Sequence, residues 1–335
     1  MIISYITNTR NGLKIGERNQ ALGVVDALRE VHKHAILLEH DIGEMGRLYG
    51  ILKKYNMNQH IIIGVSDSGV KAFAPLPALS NYVAVLIGHE VPQDVEALAG
   101  KISVLAIPGY AADCPRQLGK VRIVRTDGVA NTMSAEKSEL ALRDWAHKFP
   151  VKEGQPVIVA MLGGTVDGED FQAHEATDMA EYVVKKAKET GAYVLASNSP
   201  RTQPRDTEAF TGVLSRSGCG NAFFPFSMKN QNNETPYRAM VGMVAGNPQS
   251  SIIVTGDSVS MPCEIATIVP SAQMTIYPVS NGNRQNREFI EWMIAGGHAG
   301  LIEPGKFCEK RISLAAAPGR MNAARQIAQE ILSIM

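Results

Sequence analysis

At 335 residues the chain exceeds one ordinary hydrophobic core, and two domains of roughly 150 residues are expected. Lysine plus arginine and aspartate plus glutamate balance at 33 each, which excludes the global basic field that draws nucleic acid or anionic lipid to a protein. Hydrophobic residues make up 45% of the chain, enough for a packed globular protein, and the dispersed cysteines Cys114, Cys219, Cys263 and Cys308 show no CxxC pair or zinc spacing and fit a reducing compartment.

In chain order, short apolar runs alternate with amphipathic stretches, the signature of βα units and mostly parallel sheets. Met1-Ile2-Ile3-Ser4-Tyr5-Ile6 has neither a basic leader nor a long apolar core, so it reads as a first strand and not as a signal peptide. No apolar run reaches membrane-spanning length, and the expected location is the cytoplasm, with peripheral membrane attachment left open. The first half predicts strands at 2–6, 35–39, 60–65, 82–87, 102–107 and 121–125. Phe149 to Pro156 concentrates proline, glycine and charge, and predicts a linker between an N-terminal domain at 1–150 and a second domain at 151–318. The second half predicts strands at 156–162, 192–197, 221–226, 251–255 and 274–278. Ala173 to Thr190 predicts a helix, with Ala176, Met179, Ala180, Val183 and Ala187 at helical spacing and Gly191 as its stop. A last helix is expected over Gly319 to Met335, with Ala324, Ile327, Ala328, Ile331 and Leu332 on one stripe.

Several strand ends carry candidate chemistry. After the first strand, Gly12 and Gly16 flank a basic loop that runs into Asn19 and Gln20, a pattern able to grip an anion or a sugar but without Rossmann or P-loop spacing. Ser66-Asp67-Ser68-Gly69 follows the third strand and Gly88-His89-Glu90 the fourth. His89 is a candidate general base because imidazole titrates near neutrality, with Asp67 as a second nominee; a solvated loop histidine is the competing reading. No histidine has metal-ligand spacing, and no GxSxG or HExxH motif occurs, so no metal is expected.

In the second half three strands end in polar or glycine-rich turns: Gly163-Gly164-Thr165, then Ser197-Asn198-Ser199-Pro200-Arg201-Thr202, then Thr255-Gly256-Asp257-Ser258-Val259-Ser260-Met261. Glycine lets a backbone approach a phosphate closely, arginine forks two of its oxygens, and free N–H groups at a helix start attract anions. Glu264 then follows on the helix that Pro262 opens, placed to hold a ribose diol as acidic residues do in other nucleotide sites. Ser and Asp before a helix are also ordinary caps, so each turn alone is weak. On neighbouring strands the three would form one anion-binding rim.

These residues resemble the family named for plant mitochondrial-fission "elongated mitochondria" proteins, which has many bacterial members. The resemblance rests on Gly16-Glu17-Arg18-Asn19-Gln20, the Gly163-Gly164 strand end, the Ser199 turn, the Pro236-Tyr237 dipeptide and above all Thr255 to Glu264, and it spans nearly the whole chain. Where the family has adjacent arginines, this turn carries Arg201 alone. The resemblance implies an α/β fold of the GT-B type, with two Rossmann-like domains facing across a cleft and the last helix returning to the N-terminal domain. It implies a nucleotide-sugar substrate (UDP-, GDP-, CMP- or ADP-linked) on the C-terminal domain and no other cofactor. Gly163, Gly164, Ser197, Arg201, Thr255, Asp257, Ser258, Ser260, Met261 and Glu264 would hold it, while Gly12, Gly16, Asn19 and Gln20 would face an acceptor, lipid-linked or glycan. Three functions stay open: a metal-independent glycosyltransferase, a non-catalytic adaptor that recruits a protein partner, and a nucleotide-sugar epimerase.

Overall fold

The structure, a computed structural model, describes residues 1–8, 15–54, 60–76, 82–226 and 236–335. It divides into two compact units, Met1–Thr132 with Met321–Met335, and Met133–Arg320.

In the first unit, β1 (Ile2–Thr7), β2 (Ile36–Asp41), β3 (His60–Val65), β4 (Val83–Ile87), β5 (Val104–Pro108) and β6 (Arg122–Thr126) form a parallel sheet in the order β2-β1-β3-β4-β5-β6. Its apolar runs are buried because helices cover both faces. α1 (Ile15–Val31) and α10 (Ala323–Ser333) pack Ala21, Val24, Val25, Leu28, Ile327 and Ile331 on one face. On the other, α2 (Met45–Lys54) and α3 (Ser66–Phe73) contribute Met45, Leu48, Ala72 and Phe73. The last helix begins at Ala323 and not at Gly319: Asn322 caps it by accepting from Arg325 N at 3.2 Å, and Pro318-Gly319 precede it in a non-helical stretch.

The second unit orders its strands β13-β12-β11-β10-β7-β8-β9. These are β7 (Val157–Leu162), β8 (Tyr193–Asn198), β9 (Asn221–Phe224), β10 (Ser251–Thr255), β11 (Met274–Tyr277), β12 (Gly300–Glu303) and β13 (Cys308–Lys310), of which only β13 is antiparallel to its neighbour. α4 (Ala135–Trp145) precedes the first of these strands, and α5 (Ala173–Thr190), α6 (Pro204–Arg216), α7 (Tyr237–Gly246), α8 (Ser260–Ile268) and α9 (Arg284–Ala295) run between them. α5 and α6 bury Met179, Val183, Phe210 and Leu214 against the sheet. The expected linker at 149–156 lies inside this unit, because α4 packs on α7 and the Phe149 ring meets Phe224 of β9 edge-on at 5.3 Å. The hairpin β12–β13 was not expected, since three or four residues are too few to show a period.

Two buried histidines share one hydroxyl inside the first unit. Ser4 Oγ lies 3.1 Å from His40 Nε2 and 2.9 Å from His60 Nε2, bridging three strands. Burial, helped by His40, pushes His60 down to about 4, and burial with Arg47 lowers His40. A histidine pKa depressed on folding contributes stability that is fully present above the unfolded value near 6.5 and is lost as pH falls toward 4. His60 alone accounts for about 3 kcal/mol over that window. Urea unfolding at pH 7.5 and 4.5 should show this loss in the wild type and a smaller one in His60→Gln; equal losses in both would remove His60 as the cause.

Candidate functional site

The second sheet changes direction between β7 and β10, the point where open α/β sheets leave a crevice at their carboxyl ends. Since β10, β7 and β8 are consecutive in the sheet, the three turns singled out from sequence lie side by side. One side chain ties them together. Asp257, after β10, accepts from Thr255 Oγ1 at 2.6 Å, from Gly164 N at 3.1 Å after β7, and from an Arg201 guanidinium nitrogen at 2.8 Å after β8. Its side chain is 1% exposed, so this carboxylate is paired with donors drawn from all three turns.

That packing changes the roles expected of several residues. A Cβ on Gly163 would lie 1.6 Å from Asp257 Oδ1, and one on Gly164 would lie 2.2 Å from the Arg201 carbonyl, so both glycines are required by the fit of the turns themselves. Arg201 donates its second terminal nitrogen to Thr165 O at 2.7 Å, so both ends of the guanidinium fork are tied within the turns, while the side chain stays 43% exposed. The next arginine in the chain, Arg205, sits one helical turn on in α6 and pairs with Asp170 at 2.9 Å. Ser197 donates to Phe224 O at 2.7 Å and so fastens β8 to β9, while buried Thr255 serves Asp257. Ser258, Ser260 and Met261 remain partly exposed at the start of α8, where Ser258 Oγ accepts from Met261 N at 3.4 Å.

Glu264 lies one turn into α8, partly buried. Burial raises its carboxyl to about 7, against smaller lowering contributions from Tyr237 and Arg238. Tyr237 opens α7, and burial followed by the Glu264 charge raises its phenol well above 10. The Tyr237 hydroxyl makes no hydrogen bond of full geometry among the described residues, although it lies near enough to steady the Glu264 charge. In the sequence Tyr237 stands out only as half of a dipeptide. Asn281 lies outside the residues expected from sequence: its Nδ2 donates to Gly164 O and Glu169 O, both at 3.0 Å, and the Ser-Asn-Gly-Asn run after a strand is its signal in the chain.

In the first unit, Gln20 and His89 come together, their Nε2 atoms 2.6 Å apart. Burial pushes His89 down to about 4, and its Nε2 is occupied by the amide, so it is a weak proton acceptor near neutrality. Asp67 is exposed in the first turn of α3, where it favours the helix dipole. Its neighbour Ser68 donates to Glu17 at 3.1 Å. Gly16 is exposed and Asn19 half-buried on α1, and Gly12 lies outside the described residues. Among the described residues no three His, Cys, Asp or Glu side chains converge as metal ligands do, and no helix is long and apolar enough to cross a membrane.

Residues 113–335 match the family described as Mitochondrial fission ELM1. The chain belongs to that family. No curated protein matches its sequence. Among solved structures it is similar to the UDP-GlcNAc 2-epimerase of Methanocaldococcus jannaschii, with a TM-score of 0.56 at 12% identity over 100% of both chains. The UDP-GlcNAc 2-epimerase of Neisseria meningitidis gives 0.49 at 11% identity, over 100% of this chain and 91% of that one. MurG of Acinetobacter baumannii gives 0.48 at 11% identity, over 100% and 90%. The family member described here therefore has a GT-B-like fold, two Rossmann-like regions of mostly parallel strands.

Proposed function

We propose that the protein is a GT-B enzyme that takes a sugar from a nucleotide-sugar and transfers it to an acceptor hydroxyl, with the nucleotide held on the second unit. The observation that supports this is the joining of three strand-end turns through Asp257 at the β7–β10 switch point, directly ahead of the α8 N-terminus and Glu264. Ser258, Ser260 and the first N–H groups of α8 face the diphosphate, the buried Gly163 and Gly164 let the three turns close together beneath it, and Glu264 takes the ribose hydroxyls. Charge on the leaving diphosphate falls on those N–H groups and the helix dipole. Gly16 and Asn19 belong to the acceptor side, whereas Gln20 is buried and held on His89.

The adaptor reading draws on one feature, a Ser199 turn with a single arginine whose guanidinium already donates to Asp257 and Thr165. Calorimetric titration with UDP, GDP, CMP and ADP separates the two. One nucleotide should bind saturably, and Glu264→Ala should weaken it about tenfold or more by removing hydrogen bonds to a charged group. No binding by any of the four, together with a stoichiometric protein partner on purification, would establish the adaptor. An epimer formed without acceptor would instead identify an epimerase.

A further inference from the structure

The Gly163–Gly164 turn is held from a fourth strand end as well. Asn281 lies on the loop between β11 and α9, only 5% exposed, and its Nδ2 reaches the carbonyls of Gly164 and Glu169. Two carbonyls can be served only by the NH2 end of an amide, so Asn281 cannot be flipped and its Oδ1 is placed without ambiguity. That oxygen is buried and meets no donor among the described residues. Behind it, buried Glu175 of α5 accepts from Ser280 N at 2.7 Å through one oxygen and from Gln172 N at 3.1 Å through the other, which fixes the residue adjacent to Asn281. Gly164 thus has its N–H on Asp257 and its C=O on Asn281, each polar group of the peptide gripped by a different neighbouring loop.

We propose that Asn281, braced by Glu175, is a positioning residue of the nucleotide site, setting where the Gly163–Gly164 backbone stands against the ligand's phosphates. This rests on the nucleotide reading above. Asn283 supplies the control, because it ties the same two loops without touching Gly164: its Nδ2 donates to Asp167 at 2.9 Å and its Oδ1 caps α9 by accepting from Asn286 N at 2.9 Å.

The experiment is calorimetric titration of wild type, Asn281→Ala and Asn283→Ala with UDP, GDP, CMP and ADP, alongside thermal melts of all three proteins. With the nucleotide that wild type binds, Asn281→Ala should lose about tenfold or more in affinity and Asn283→Ala less than about twofold, at comparable losses of Tm. If Asn281→Ala does not fold, Glu175→Gln takes its place; it keeps an acceptor for Ser280 N but not for Gln172 N, and an intermediate loss is expected. Unchanged affinity in the Asn281 variant, or affinity that merely follows Tm across both variants, would overturn the positioning role. Should wild type bind none of the four nucleotides, the nucleotide reading itself falls and this role falls with it.

Discussion

Gly163→Ala should destabilise the second unit by about 4 kcal/mol or more, a large effect for one added methyl group. The new Cβ would stand 1.6 Å from Asp257 Oδ1 and 2.1 Å from its Cγ, well inside van der Waals contact. Most overpacked sites relax by turning a side chain, but Asp257 is tethered by Thr255, Gly164 and Arg201 and has nowhere to turn. Either the β7 backbone retreats, or the carboxylate is expelled and leaves the Gly164 N–H and one face of Arg201 without an acceptor. Both outcomes break a buried charged network. Urea unfolding of Gly163→Ala, Asp257→Ala and the double variant tests this. Because Asp257→Ala removes the atoms that clash, the double variant should be less destabilised than the sum of the singles by about 2 kcal/mol. Additive losses, or a loss below about 1 kcal/mol for Gly163→Ala, would mean that the turn is looser than its geometry shows.

Nucleotide affinity should climb with pH through neutrality, because Glu264 must be ionised to accept both ribose hydroxyls and burial holds its carboxyl near 7. Below that value each pH unit should weaken binding by close to tenfold, and above it the affinity should level off. Binding near pH 7 should release about half a proton, visible as a dependence of the measured heat on the buffer's ionisation enthalpy. Tyr237→Phe removes a hydroxyl that favours the charged carboxyl, so the midpoint should move to higher pH. Folding responds in the opposite direction. A carboxyl raised on folding contributes stability that is fully present below its unfolded value near 4.5 and is lost as pH rises through 7, so the site is least stable where it binds best. A dissociation constant that stays flat from pH 6 to 8 would remove Glu264 from the ribose.

Much of the architecture was legible locally. Buried strands such as Val157–Leu162, and Ser251–Thr255 after its first residue, are β-branched or apolar, and α5 shows an uninterrupted apolar stripe closed by Gly191, so each declares itself without knowledge of its neighbours. The hairpin Gly300–Glu303 with Cys308–Lys310 escaped because it is short and charged. The expected boundary fails to divide the units for a different reason: Phe149 to Pro156 has the composition of a linker, and the packing of α4 on α7, with Phe149 against Phe224, puts the preceding helix in the second unit.

The candidate site divides in the same way. Residues close in the chain specify strands, turns and helix starts, and so they fix that strand ends at Gly163, Ser197 and Thr255 carry polar or glycine-rich turns and that Glu264 stands on the helix after the last of them. That these turns are neighbours comes from the fold, since the order β10-β7-β8 joins segments far apart in sequence. The fold also decides that Asp257 is spent on Gly164 and Arg201, that His89 is held uncharged against Gln20, and that Asn281 steadies the glycine turn. A side chain's partners and its solvation depend on what folding brings beside it, and local sequence carries no record of either.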